Sequence, residues 1–355
     1  MSAISRRQWA GVTMSALAVP GLLRAGTRVL SREPLITVQD FAQYPAVITP
    51  TEDFYVRNHF SVPEIDASHW EMRVEGLVGS PAVFGLAKLR KANLAEIISV
   101  VECAGNGSGM GGVGCVWWRG VRLADILASC NIDPRARWVR MTGMDRGSEP
   151  DSNGEISYSR TISLERAKSP TTLVALEMNG APLKLAHGAP CRVLVAGHYG
   201  MDSVKWLQRI ELIDQPDDNL FMARRFRRVF GESVGAPVSL MRVKSLVVTP
   251  AAEAVLRGVI CEAGGYAWSG TGRISRVEVQ LDAQPWRSVR LLQTPGGLAW
   301  VPWAARLEGV RPGVHGIAVR AFTDAGEQQP VVRDPSRGDA YELNAYARVR
   351  FLIRP

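Results

Sequence analysis

Ile97-Ile98-Ser99-Val100-Val101-Glu102-Cys103-Ala104-Gly105-Asn106 runs from a β-branched stretch into a turn of small residues, with a thiol at the junction. The Ile/Val-rich half reads as a strand. The Ala-Gly-Asn-Gly continuation carries little side-chain bulk, so its backbone can lie close to another group. Cys103 is thereby delivered by a strand to the start of a turn, where a thiolate can meet a metal.

On either side of this stretch, residues 35–231 mix strand-like and helix-like pieces. Residues 121–127 have helical apolar spacing. Residues 172–178 and the run from 183 onward are apolar segments separated by Asn179-Gly180, a hairpin signal. Residues 192–195 and 204–213 add strands. Without regular strand-helix alternation this is an α+β domain rather than a doubly wound one. Past Gly235 the pattern changes: residues 244–250, 254–260, 275–281, 287–292, 316–322 and 347–353 are short strands between Gly, Pro and Asp turns. Arg276-Val277-Glu278-Val279-Gln280-Leu281 alternates with period two, as a half-buried antiparallel strand does. A β-sandwich follows, with the boundary at residues 232–237.

The chain has 355 residues, 21% charged and 46% hydrophobic, which suits two compact domains. A formal net charge of +8 favours anionic partners. Arg is spread along the chain with no basic, aromatic-interleaved tract, so nucleic acid is not an expected partner. Cys103, Cys115, Cys130, Cys191 and Cys261 form no C-x-x-C or C-x-x-C-H spacing, which argues against zinc ribbons, thioredoxin-type sites and c-type haem. Cys130, Cys191 and Cys261 read as small buried hydrophobes. Ser5-Arg6-Arg7-Gln8-Trp9 precedes an uncharged stretch shorter than the roughly 20 residues that span a bilayer. Residues 1–30 are therefore expected to be a twin-arginine export signal, with the periplasm as destination.

Polar clusters surround Cys103 in the sequence: Tyr55-Val56-Arg57-Asn58-His59 upstream, and His187-Gly188-Ala189-Pro190-Cys191-Arg192 and Ser203-Val204-Lys205-Trp206 downstream. Each alone fits a surface turn or a solvated strand residue. Together they supply guanidinium forks, an ammonium group and imidazole, the donors that recognise phosphate or a sulfur oxyanion. A soft thiolate selects a transition metal, and with no companion Cys or His nearby the other ligands must come from a metal-organic cofactor. Trp117, Trp118 and Trp206 read as packing.

From Phe54 to the C-terminus the chain resembles the sulfite oxidase family of molybdopterin enzymes. The resemblance is carried by Phe54-Tyr55-Val56-Arg57-Asn58-His59, Glu102-Cys103-Ala104-Gly105-Asn106, Trp118-Arg119-Gly120-Val121, Gly143-Met144-Asp145, Glu177-Met178-Asn179-Gly180, His187-Gly188-Ala189-Pro190 and Val204-Lys205-Trp206-Leu207. Gly265-Tyr266-Ala267-Trp268-Ser269-Gly270 is similar to the opening of that family's Ig-like dimerisation domain. The resemblance implies a molybdopterin-binding domain over residues 31–234, an Ig-like sandwich over 235–355, and a homodimer. It implies a molybdenum-molybdopterin cofactor with Cys103 as the protein's metal ligand. His59, Asp145, His187, Arg192, Ser203 and Lys205 would hold the pterin and its phosphate, with Tyr55, Val56, Asn58 and Val204 contributing from the same loops. Arg57 would face a small anionic, sulfite-like substrate, and Arg337 is matched to a substrate arginine lent by the second domain.

Two departures bear on the substrate. Sulfite-oxidising members commonly follow C-A-G-N with two arginines, where this chain has Gly107-Ser108. The place of the family's catalytic tyrosine falls on Phe226, which cannot donate a hydrogen bond. A shift of one or two residues would bring Arg225 or Arg227 inward instead. The expected function is oxidation of sulfite, a related sulfur oxyanion or a sulfane by oxygen-atom transfer. With no haem in this chain, electrons would leave to a separate c-type cytochrome or other acceptor. The alternatives are reductive oxygen transfer from an S-oxide or N-oxide, and a pseudoenzyme that keeps the fold.

Overall fold

The computed structural model describes residues 27–39, 47–107, 109–294, 296–346 and 348–355. The Ser5-Arg6-Arg7 segment lies outside them. The stretch that ends at Cys103 is the strand Leu94–Glu102, paired antiparallel with Val113–Arg122 from Leu94 opposite Val121 to Glu102 opposite Val113. Thr172–Met178 adds to the far side of Val113–Arg122, and Arg192–Val195 pairs beyond it. A second sheet is centred on Leu207–Ile213, which runs parallel to Glu71–Gly76 and antiparallel to Trp138–Ser148. Met72, Val121, Leu123, Leu127, Val139, Met141, Val174, Val193, Leu207 and Ile210 form the core of this domain, none more than 3% exposed.

The first domain holds more strand than its α+β reading suggests, since the helices Leu86–Lys91, Leu123–Ala128, Leu164–Ala167 and Leu220–Ala223 are all short. The helical spacing at 121–127 divides at Arg122, because Val121 is taken by cross-strand pairing with Leu94 and Val174. Asn179 and Gly180 both take positive φ, 51° and 84°, the left-handed pair of a tight hairpin. Its second arm is only Ala181–Pro182, after which the chain enters the 3₁₀ turn Leu185–His187. The strand expected at 204–213 starts at Leu207, because Trp206 sits at φ 49°.

The second domain is a sandwich. One sheet orders Lys244–Thr249, Ile260–Trp268, Val301–Glu308 and Arg290–Leu291; the other orders Ala254–Arg257, Arg348–Arg354, Gly313–Thr323, Ile274–Leu281 and Arg287–Ser288. Val277, Val279 and Leu281 point inward against Cys261, Trp303 and Ile317, as the period-two pattern requires. The run at 287–292 is split between the two sheets: Arg287–Ser288 pairs with Ile274–Leu281, whereas Arg290–Leu291 pairs with Val301–Glu308. Residues 232–237 contain one arm of a hairpin, Ser233–Pro237 against Arg227–Phe230.

A further apolar cluster joins the domains. Ile98, Val100, Val113 and Cys115 of the Cys103 sheet pack with Tyr266, Trp268 and Trp300 of the sandwich. At its edge lies the Glu102 carboxylate, 1% exposed, which accepts hydrogen bonds from Lys244 Nζ (2.8 Å), Trp268 Nε1 (2.9 Å) and Asn106 Nδ2 (2.9 Å). Removing one partner of such a pair leaves a buried charge uncompensated. Lys244→Met should therefore lower the unfolding free energy by about 3–5 kcal/mol. Adding Glu102→Gln should restore much of it, as read by urea unfolding.

Candidate functional site

The loop after Glu102 is held shut by its own residues. Cys103 N donates to Gly112 O (2.9 Å), and Asn106 N donates to Cys103 O (2.9 Å). The Asn106 amide spans the loop, accepting from Gly112 N (2.9 Å) and donating to Glu102. Cys103 is thereby fixed at a half-buried position facing a cavity of about 600 Å³. Burial pushes its thiol up, while the Gly105 N–H and the Arg57 charge pull it down. A cation bound at the sulfur would favour the thiolate further.

Across the cavity, Val56–Arg57 is a two-residue strand on the edge of Leu35–Gln39, with Val56 N donating to Thr37 Oγ1 (2.9 Å). This short pairing presents Tyr55, Val56, Arg57, Asn58 and His59 to the cavity. Arg57 is exposed and hydrogen-bonds the Asn58 carbonyl. His59 Nε2 lies 2.6 Å from Glu149, which also binds Arg225 at 2.9 Å.

Asp145 comes from a break in register of Trp138–Ser148 between Thr142 and Arg146, a bulge that re-aims the side chain. Gly143 is required there, because a Cβ on it would lie 2.5 Å from Asp145 Oδ1 and 2.7 Å from Lys205 O. His187 ends its 3₁₀ turn, and its Nε2 donates to Thr51 O (3.2 Å). Gly188 follows at φ 103°, lying against Lys205 and Arg192, where a larger residue would be both strained and crowded. Arg192 donates to the carbonyls of His187 (3.1 Å) and Ser203 (2.8 Å). Lys205 bonds the Asn58 side-chain oxygen and Ala186 O (3.2 Å).

These groups form a cationic pocket short of counter-charge. Burial, reinforced by the Arg192 charge, holds Lys205 well below the usual lysine range. Arg192 is pulled down to about 10 and His187 to about 4, in both cases chiefly by burial. Asn58 Nδ2, Asp145 Oδ1 and Arg192 Nε are buried without a hydrogen-bond partner among the described residues. Such atoms call for an occupant with matching polar groups. Among the described residues no three His, Cys, Asp or Glu side chains converge as a metal cage.

The structure brings together nearly all of the residues singled out from the sequence. Tyr55, Val56, Arg57, Asn58, His59, Cys103, Asp145, His187, Arg192, Ser203, Lys205 and Phe226 line the same cavity. Val204 does not: its side chain is buried in the first-domain core. Arg337 does not either, its guanidinium being held by Asp339 (2.7 Å) and Glu342 (2.9 Å). Of the two arginines beside Phe226, Arg225 lines the cavity, whereas Arg227 is turned to the carbonyls of Gly235 and Met222. Trp206, read as packing, also lines the cavity, with Lys205 over its ring. Gly107 is half-buried and does not line the cavity, and Ser108 lies outside the described residues. Sequence reasoning missed Ala340, Tyr341 and Leu343, which the second domain contributes to the wall.

Burial raises the Asp145 carboxyl from 3.8 to about 7, with Lys205 opposing. Below pH 3.8 the group is neutral whether the chain is folded or not. Between there and pH 7 only the unfolded chain releases the proton, so stability falls as pH rises. In cofactor-free protein, Asp145→Asn should raise the unfolding free energy at pH 8 by up to about 4 kcal/mol and leave it unchanged near pH 3.5, by urea unfolding.

The chain matches the oxidoreductase molybdopterin binding domain over residues 59–221 and the Mo-co oxidoreductase dimerisation domain over 236–349. It is 31% identical over 313 residues to sulfite oxidase of Gallus gallus, covering 79% of this chain and 67% of that protein. It is 30% identical over 358 residues to nitrate reductase (NADH) 1 of Oryza sativa subsp. japonica, covering 88% of this chain but only 39% of that protein. The fold is that of the sulfane dehydrogenase SoxCD from Paracoccus pantotrophus, with a TM-score of 0.83 over 96% of this chain and 93% of that one at 22% identity. With both domain matches in order and the curated similarity running through them, the chain belongs to the sulfite oxidase family of molybdopterin-dependent oxidoreductases.

Proposed function

We propose that this protein holds a molybdenum-molybdopterin cofactor through Cys103 and oxidises a small anionic sulfur compound such as sulfite, passing electrons to a separate c-type cytochrome. The observation that carries this reading is the meeting of Cys103 with the orphaned Asn58 Nδ2, Asp145 Oδ1 and Arg192 Nε around one cavity. A pterin offers an edge of donors and acceptors, and its phosphate calls for cations; this donor set fits both. Asn58 and Asp145 would take the polar edge, and Arg192, Ser203 and Lys205 the phosphate. The cofactor, when bound, supplies two-electron oxygen-atom chemistry and returns electrons one at a time. The chain's own contribution is to orient the substrate and exclude water. Arg57 offers a planar fork to an anion in the cavity, and its charge supports the Cys103 thiolate.

The reading includes export to the periplasm, supported by Ser5-Arg6-Arg7, and a homodimer through the second domain, supported by the match at residues 236–349. A reductive reaction on an S-oxide or N-oxide is the second reading. It is favoured by the apolar wall of Phe226, Met110 and Leu343, which suits a less charged substrate.

Protein from a pterin-competent host should carry about one molybdenum per chain, as a single-cofactor site requires. Cys103→Ser should stay folded and lose turnover. Metal analysis finding no molybdenum, or full turnover in the variant, would sink the reading. Sulfite with cytochrome c, compared with a sulfoxide and a reduced dye, decides the direction.

A further inference from the structure

The part of the cavity wall that the second domain supplies has its own chemistry. Ala340 and Leu343, together with Phe226 and Met110 of the first domain, offer an approaching anion no side-chain donor, but Tyr341 stands among them with a phenol. Its ring lies 5.4 Å from that of Phe226 at an interplanar angle of 42°. Its backbone is anchored on both sides: Tyr341 N donates to Asp339 Oδ1 (2.9 Å), and Arg333 donates to Tyr341 O (3.3 Å). The next residue ties the segment to the Cys103 loop, Glu342 N donating to Ala104 O (2.9 Å).

Charges fix the same segment. Asp339 is held by Arg333 (3.0 Å) and Arg337 (2.7 Å), and Glu342 by Arg228 (2.6 Å) and Arg337 (2.9 Å). Arg337 is spent on these two carboxylates and sets the loop that carries Tyr341. Arg225 lines the cavity nearby, but Glu149 (2.9 Å) and Asp151 (3.3 Å) balance its charge. The Tyr341 phenol lies within electrostatic reach of Arg225, and among the described residues its hydroxyl forms no hydrogen bond of its own.

Resting on the reading that the cavity binds a small oxyanion, we propose that Tyr341 is the hydrogen-bond donor to that anion from the second domain, and that Arg337 positions Tyr341 rather than meeting the substrate. One donor to the substrate is then supplied by the domain that does not carry Cys103. An oxyanion bound between Arg57 and Tyr341 receives a guanidinium fork from one domain and a phenol from the other.

The test uses the cofactor-loaded protein, with sulfate as a non-reacting probe. Tyr341→Phe keeps the ring and removes only the hydroxyl. It should weaken sulfate binding by calorimetry, and lower kcat/KM for sulfite, by about tenfold or more, as expected for a hydrogen bond to a charged group. Molybdenum content should be unchanged. Phe226→Tyr in the Tyr341→Phe background should recover part of the sulfate affinity, because the two rings face the same space. Sulfate affinity and kcat/KM equal to the parent in molybdenum-loaded Tyr341→Phe would overturn the role of Tyr341. The molybdenum reading would stand, since it rests on metal content and on Cys103→Ser.

Discussion

A single carboxylate holds the two domains and the Cys103 loop in one arrangement. Glu102, buried at the end of its strand, takes hydrogen bonds from Asn106 in its own loop and from Lys244 and Trp268 in the sandwich. An ion pair this deep gains little net stability over well-packed apolar residues, because desolvation offsets its attraction. Its effect here is geometric. The residue beside the thiol cannot move without breaking contacts in the other domain, and the apolar cluster of Val100, Val113, Tyr266 and Trp300 excludes water from the joint.

The cavity that results gathers like charges in a low-dielectric setting. Lys205, Arg192 and Arg57 act on one another, and Asp145 is a partly protonated counterweight rather than a full anion. Lys205, Arg192 and His187 are held down first by burial, and Lys205 and His187 further by the Arg192 charge. Such an arrangement holds stored electrostatic demand that an anionic occupant relieves. The orphaned polar atoms of Asn58, Asp145 and Arg192 give that occupant its shape.

The family and the substrate rest on different parts of the molecule. Family membership follows from features of the first domain and the order of the two domains. The proposed substrate rests on another part of the wall, where Phe226 stands at a position the resemblance fills with tyrosine and where the second domain inserts Ala340, Tyr341 and Leu343.

Much of the site was legible in the sequence, because strands and turns are encoded locally. The Ile/Val run set the strand that ends at Cys103, Asn179-Gly180 its hairpin, and the alternation at 276–281 an inward face of the sandwich. The polar clusters declared themselves by residue type. Contacts distant along the chain could not be read this way. Trp206 became a cavity residue and Val204 a core one because Trp206 adopts a positive φ just before its strand. The pairing of Glu102 with Lys244 spans 142 residues. Tyr341 enters the cavity, and Arg337 stays out, because Asp339 and Glu342 capture the guanidinium. Local pattern determines which side chains are available, but competition among partners brought together only by folding decides which of them face the site.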